Sequence, residues 1–328
     1  MKVNQISERA LIDCITKLLT YQDNIIAAAG EDDCAVLDID GESYLLITTD
    51  MLHRKTDFPF QMTGWQIGWM AAAVNLSDIA AKGAHPIGLV MAMGIPPDSE
   101  LGFVEDIVRG MQECALRCKT QIVGGDTESH DELTIVGTAL GVVKKELLVR
   151  RSGAKTGDLV CVTGHLGTAG TALIAINNNI PVNPSILKTL FEPIPKINEG
   201  IALANSRVIT SMMDISDGLA LSLHDMSAAS NVGFRIYQHS LPVLPEVKRL
   251  LKDKTPEMAV YAGGDFELLF TVAPENLDKA RKACALSVIG EVIEEGVFIE
   301  REKGREELEA RGYQHFGNNV EEWSSSFL

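Results

Sequence analysis

Six short acidic clusters punctuate the 328-residue chain: EDDC (31–34), TTDM (48–51), NLSD (75–78), GGDTE (124–128), DISDG (214–218) and GGDFE (263–267). Each falls where an apolar run ends or where glycines let the backbone approach a ligand closely. Taken singly, an aspartate beside glycine is an ordinary turn, and Ser-Asp before an apolar run is an ordinary cap. Taken together they offer Asp33, Asp50, Asp78, Asp126, Asp214 and Asp217 with no nearby run of Lys or Arg to neutralise them. Asn75 and Asp78 also share one face of an otherwise apolar helix, where an unpaired carboxylate is costly to bury. Oxygen-only donors of this kind suit Mg²⁺ rather than zinc or copper. Mg²⁺ is usually held by one or two carboxylates, with phosphate oxygens and water completing its shell. Several hard divalent ions bridging to a nucleotide are the chemistry these residue types favour.

The familiar phosphate loops are missing. GAKTG (153–157) lacks the Gly-Lys of a Walker loop, and GHLGTAG (164–170) is not the GxGxxG dinucleotide fingerprint. The second segment follows an apolar run and opens a helix, so its amides suit either a tight turn or a phosphate. No HExxH, GxSxG or protein-kinase HRD and DFG set is present, which removes the main support for hydrolase and protein-kinase readings. Of seven scattered histidines only His53, three residues past Asp50, lies near an acidic cluster.

The balance of 29 basic against 45 acidic residues, a net charge of −16, repels nucleic acid and anionic membranes, so neither is an expected partner. Metal bridges reconcile that charge with a nucleotide ligand. The most apolar stretch, 65–81, contains Asn75, Ser77 and Asp78 and reads as a buried helix, not a membrane span. The N-terminal residues do not resemble a secretory signal, and six cysteines without CxxC or zinc spacing read as reduced thiols; the expectation is a cytoplasmic protein.

Positioning these clusters requires alternating elements. Periodicity predicts a helix over 8–19, strands at 34–39 and 44–48, a helix over 63–82 closed by Gly83, and a strand at 87–95. A helix over 99–118 and strands at 120–123 and 133–143 follow, with GGDTE as a turn. A basic segment, 144–158, then suggests a boundary between domains 1–148 and 149–328. Beyond it come strands near 159–164, 207–213, 233–238, 266–272, 287–293 and 296–300. Helices fall near 168–177, 184–190, 196–205, 217–230 and 275–285, which together make a two-domain α/β or α+β chain.

In order and spacing the segments DDCAVL (32–37), TTDM (48–51), AVNLSDIAAKGAHP (73–86), GGDT (124–127), RSGAKTGD (151–158), VTGHLG (162–167), DISDGL (214–219) and GYQHFG (312–317) resemble the thiamine-monophosphate kinase family. That family sits within the PurM-like superfamily of aminoimidazole ribonucleotide synthetase, and the likeness covers nearly the whole chain. It implies an N-terminal domain whose mixed sheet pairs across a homodimer, and a cleft for ATP and several Mg²⁺ ions. It also implies transfer of the ATP γ-phosphoryl group to thiamine monophosphate, giving thiamine diphosphate and ADP. By motif the resemblance assigns metal ligation to Asp33, Thr48, Thr49, Asp50, Asp78, Asp126, Asp214 and Asp217, and ATP contact to Gly125, Asp126, Arg151 and Ser216. The catalytic centre would be Asp78, Asp126 and Arg151. Tyr313 would lie near the thiamine moiety, and Asp57 and Asp265 stand where the acceptor is contacted. Three positions depart from the family pattern: Glu31 for a usual Gly, Asp57 for a common His, and GGDFE, one acid short of GG-Glu-Asp-aromatic-Glu. The alternatives are a ligase or cyclase like aminoimidazole ribonucleotide synthetase, or a non-catalytic protein that binds nucleotide and divalent metal.

Overall fold

The structure, a computed structural model, describes residues 2–315. Two sheets organise it. The first half runs α1 (Glu8–Thr16), β1 (Ile25–Ala27), β2 (Ala35–Asp38), β3 (Ser43–His53), α2 (Gly64–Ala81), β4 (His85–Ile95), α3 (Leu101–Arg117), β5 (Ile122–Ser129) and β6 (Thr134–Lys144). Its six strands lie in the order β1-β2-β3-β6-β4-β5, with only β4 and β5 parallel.

The second half runs β7 (Leu159–Val162), α4 (Thr168–Asn177), α5 (Pro184–Phe191), α6 (Ile197–Ser206), β8 (Ile209–Asp214), α7 (Leu219–Ser230), β9 (Gly233–Tyr237), α8 (Pro245–Leu251), α9 (Thr255–Tyr261), β10 (Leu268–Val272), α10 (Leu277–Ala283), β11 (Ser287–Ile293), β12 (Val297–Arg301) and β13 (Gly304–Glu307). Its seven strands follow the order β13-β12-β9-β11-β7-β10-β8. Among the described residues no helix is long and apolar enough to cross a membrane.

Helix α2 is the keystone. Thr63 and Gln66 cap it reciprocally, each side chain accepting the other's backbone N–H, and Gly83 leaves it at φ +66°. It is apolar all round, as a helix buried on every side must be. Glycine allows the tight approach to α3: a Cβ on Gly68 would stand 1.8 Å from the Ile107 carbonyl oxygen, and one on Gly110 the same distance from that of Trp65. On its far side α2 reaches into the second half, where Trp69 Nε1 donates to the Pro193 carbonyl at 2.7 Å. Side chains of α2 therefore feel both sheets at once.

Several elements differ from the sequence reading. Strand β5 does not stop at 123 but continues through GGDTE to Ser129, because β4 pairs along its whole length, Met91 with Gly125 and Ala92 with Asp126. Strands β1 and β13 and helices α8 and α9 are elements that the periodicity did not mark. The six-stranded sheet covers one face with α2 and α3. Its other face leaves Met51 54% and Ile87 52% exposed.

Candidate active site

Three elements bring carboxylates together at the end of α2. Asp78, half-buried on α2, accepts a hydrogen bond of 2.5 Å from Thr48 Oγ1 on β3. Asp214, the last residue of β8, accepts one of 2.5 Å from Ser77 Oγ. The Asp50 amide donates to Asn75 Oδ1 at 3.1 Å, and Asn75 Nδ2 donates to the Ala71 carbonyl, so the helix fixes the strand beside it. One turn of helix thus joins the two sheets through polar side chains. Burial pushes the Asp78 carboxyl well above the usual range, and the charges of Asp50, Asp214 and Asp33 add to it. Burial likewise raises Asp214 to about 7, with Asp33 contributing, and Asp50 and Asp217 to about 6. Among the described residues no ion pair holds Asp50, Asp78 or Asp214, and Asp217 has Arg9, whose Nη2 stands 3.8 Å away, with His315 nearby.

The neighbouring loop is organised in the opposite way. Lys82, wholly buried at the C-cap of α2, places Nζ 2.5 Å from Asp32 Oδ1, 2.9 Å from Asp33 Oδ2 and 2.9 Å from the Met212 carbonyl oxygen. Arg150 Nε donates to Asp32 Oδ2 at 2.5 Å, and Arg151 Nη2 and Nε donate to Asp33 Oδ1 at 2.5 and 3.2 Å. The expectation that no Lys or Arg neutralises Asp33 is corrected here. Its cations come from positions 82 and 151, distant in sequence and adjacent in space. Although burial opposes ionisation, Lys82 and Arg150 hold Asp32 below its ordinary value.

A cleft of about 710 Å³ opens above both groups, lined by Asp33, Asp78, Asp214, Asp217, Arg151 and Ser216 among others. Helix α1 lies along it. Arg9 donates to both carboxylate oxygens of Asp225, at 2.9 and 2.7 Å, and Glu8 accepts from the His315 amide. Sequence reasoning passed over Arg9 and Lys82, since nothing local marks either one. At the C-terminal end the Tyr313 amide donates to the Asp217 carbonyl at 3.0 Å. Burial raises the Tyr313 phenol, and the charges of Asp57, Asp217 and Glu8 raise it further, so Asp57 and Tyr313 share one neighbourhood at the cleft's edge. Phe316 and Gly317 of the GYQHFG motif lie outside the described residues.

Other expected residues stand elsewhere. The register puts Asp126 in line with Ala92, Val136 and Met51, a row on the open face of the sheet away from α2. Thr49 shares that face and bonds to Gly137 and Thr138. Within the chain, then, Gly125, Asp126 and Thr49 do not line the cleft with Asp78. Asp265 is no rim residue either. It is half-buried at the start of α4, lining a separate hollow with His165 and Glu267, and its Oδ2 accepts from the Gly167 amide at 2.6 Å and Oδ1 from those of Thr168 and Ala169 at 3.0 and 3.1 Å. The amides of GHLGTAG are therefore occupied by the protein's own carboxylate, and the segment is a capped turn.

The donors fit Mg²⁺. Asp50, Asp78, Asp214 and Asp217 supply hard oxygens, and their raised proton affinities mark negative charge that the protein leaves uncompensated. Among the described residues no three acidic, thiol or imidazole groups close on one point.

The chain matches the family models for AIR synthase related protein, the N-terminal domain over residues 31–143 and the C-terminal domain over 155–301. It is 42% identical over 284 residues to a thiamine-monophosphate kinase of Methanospirillum hungatei, covering 87% of this chain and 92% of that one. With the thiamine-monophosphate kinase of Pyrococcus horikoshii it shares 38% identity, over 84% of this chain and 87% of the relative. It superposes on a solved structure of AaThiL complexed with AMPPCP and TMP with a TM-score of 0.86 at 28% identity, covering 96% of this chain and 99% of the other. With both halves matched and the likeness running through the carboxylates of the cleft, the chain belongs to the thiamine-monophosphate kinase family.

Proposed function

We propose that the protein transfers the γ-phosphoryl group of ATP to thiamine monophosphate, giving thiamine diphosphate and ADP, in the cytoplasm and as a homodimer. The observation that carries this reading is the row of carboxylates that no ion pair holds among the described residues, Asp50, Asp78 and Asp214, beside a cleft that also presents a guanidinium. The solved relative that holds AMPPCP and TMP supports the identity of both substrates. The open apolar face around Met51 and Ile87 supports dimerisation, since a sheet face of this kind is ordinarily covered. A partner covering that face would also meet Thr49 and Asp126.

Mg²⁺ bound at these carboxylates would supply charge neutralisation for two polyanions and fix their phosphates in line. Asp78, Asp214, Asp50 and Asp217 would hold it. Arg151 directs Nη2 and Nε at Asp33, which orients the guanidinium plane and leaves Nη1 for a phosphate oxygen. Ser216, on the turn before α7, lines the same cleft and offers a hydroxyl to the nucleotide. The acceptor is a phosphate oxygen already anionic at neutral pH, so no residue has to act as a strong base. The work of the site is orientation. Asp57 and Tyr313 would sit at the thiamine end. Asp265 supports that end only indirectly, by anchoring α4.

Purified protein incubated with ATP, Mg²⁺ and thiamine monophosphate should release ADP and thiamine diphosphate in equal amounts, and chelation should stop both. Turnover of a ribosyl phosphate acceptor in its place would favour the cyclase reading. ATP binding with no turnover of either acceptor would favour the non-catalytic one.

A further inference from the structure

The loop 31–33 and the floor of the cleft are both acidic, yet only the loop has its charge balanced from within. Around Asp32 and Asp33 the chain brings three cations, Lys82, Arg150 and Arg151, against two carboxylates. Lys82 cannot withdraw to solvent. Its side chain is fully buried, and Nζ is fixed from a third direction by the Met212 carbonyl on β8. The Asp33 side chain is 2% exposed, with Oδ1 taken by Arg151, while Oδ2 stands 2.9 Å from Nζ and accepts no hydrogen bond. A divalent ion arriving there would have to displace a buried ammonium.

We propose that Lys82 is a built-in cation that, with Arg151, takes the place of a metal ion at Asp33, so that Asp33 positions Arg151 for the nucleotide instead of ligating Mg²⁺. The proposal rests on the kinase reading above and revises one of its expected ligands. Asp33 becomes a positioning residue. The ions are then confined to Asp50, Asp78, Asp214 and Asp217, which lack such a partner.

The test counts ions. Mn²⁺ serves as the probe, followed by electron paramagnetic resonance in the presence of a non-hydrolysable ATP analogue, on full-length wild-type protein and on Asp33→Asn. The proposal expects the same number of bound ions in both, with affinities agreeing within about twofold. Loss of one ion in Asp33→Asn overturns it. Lys82→Met uncovers the Asp33 carboxylate and is expected to bind one ion more than wild type, a gain abolished in the Lys82→Met/Asp33→Asn double variant. A folded Lys82→Met protein with an unchanged count also overturns the proposal. Should Lys82→Met fail to fold, the Asp33→Asn comparison decides alone. A wild type that binds no Mn²⁺ at all would sink the kinase reading first, an outcome distinct from either result at Asp33.

Discussion

Two groups of aspartates meet beneath one cleft and are treated in opposite ways. Asp32 and Asp33 lie in a closed net with Lys82, Arg150 and Arg151, and Asp32 is held below its ordinary proton affinity. Asp214 is as buried as Asp32, and Asp50 and Asp78 are half-buried; burial raises all three, and at Asp78 and Asp214 the charges of neighbouring aspartates add to it. Burial alone does not distinguish them. The difference is whether the chain supplies the opposite charge, and it separates a carboxylate that builds the site from one that awaits a ligand.

Removing one charge from each group probes this most sharply. Asp78→Asn should lower turnover by about 1000-fold, since the charge that meets the ion is gone. At pH 8 and without metal the same variant should be more stable than wild type by on the order of 1 kcal/mol, because a repelled carboxylate has become neutral. Asp32→Asn should do the reverse to stability. It strips Lys82 of its 2.5 Å partner and should cost about 3 kcal/mol in chemical denaturation. Destabilisation by both variants would abolish the distinction.

How far this arrangement could be read beforehand depends on the range of the signal. Helix α2 was expected at 63–82 and spans Gly64–Ala81, because its capping pair and its terminal glycine are local. The acidic clusters were equally visible, and four of them do gather at the cleft. Strand β5 was cut short because Gly124 and Gly125 look like a turn. Tertiary pairing overrides that propensity: a Cβ at 125 would stand 2.0 Å from the Met91 carbonyl oxygen, so glycine serves the close approach. Helices α8 and α9, which the periodicity did not mark, are short and carry Pro245 and Pro256 in their first turns. The net around Lys82 gave no advance sign, since its partners are 50 positions away at Asp32 and 130 away at Met212. Nor does a motif reveal which face of a strand is covered, which is why Asp126 and Thr49 were grouped with Asp78.

Proton linkage gives a gentler measure of the same contrast. In the metal-free native state Asp214 titrates near 7 and Asp50 and Asp217 near 6, against 3.8 for an ordinary aspartate. Folding therefore takes up protons in that interval, and the stabilisation present near pH 4 is lost as pH rises through 6 and 7. Melting temperature without metal should rise by on the order of 5 °C between pH 8 and pH 6. Asp32 is shifted the other way, so its contribution fades only in more acidic solution and leaves this window to the unpaired group. Mg²⁺ competes with those protons and should raise the melting temperature more at pH 8 than at pH 6. An equal increment at both values would mean that the ion binds elsewhere.

Arg9 lies between the two patterns and should show the smallest effect. It donates to both oxygens of Asp225, stands 3.8 Å from Asp217 and is a third exposed, so water screens the attraction in a way it cannot at Lys82. Helix α1 buries none of its residues, which leaves such polar contacts to hold it along the cleft. Arg9→Ala should consequently change global stability by less than about 1 kcal/mol while increasing hydrogen exchange in α1. It also removes the guanidinium near Asp217, so Mg²⁺ should bind a few-fold more tightly at low salt, a gain that shrinks as ionic strength rises. If Arg9 instead served as firm a structural role as Lys82, its loss would destabilise the whole protein by several kcal/mol, and salt would not alter the result.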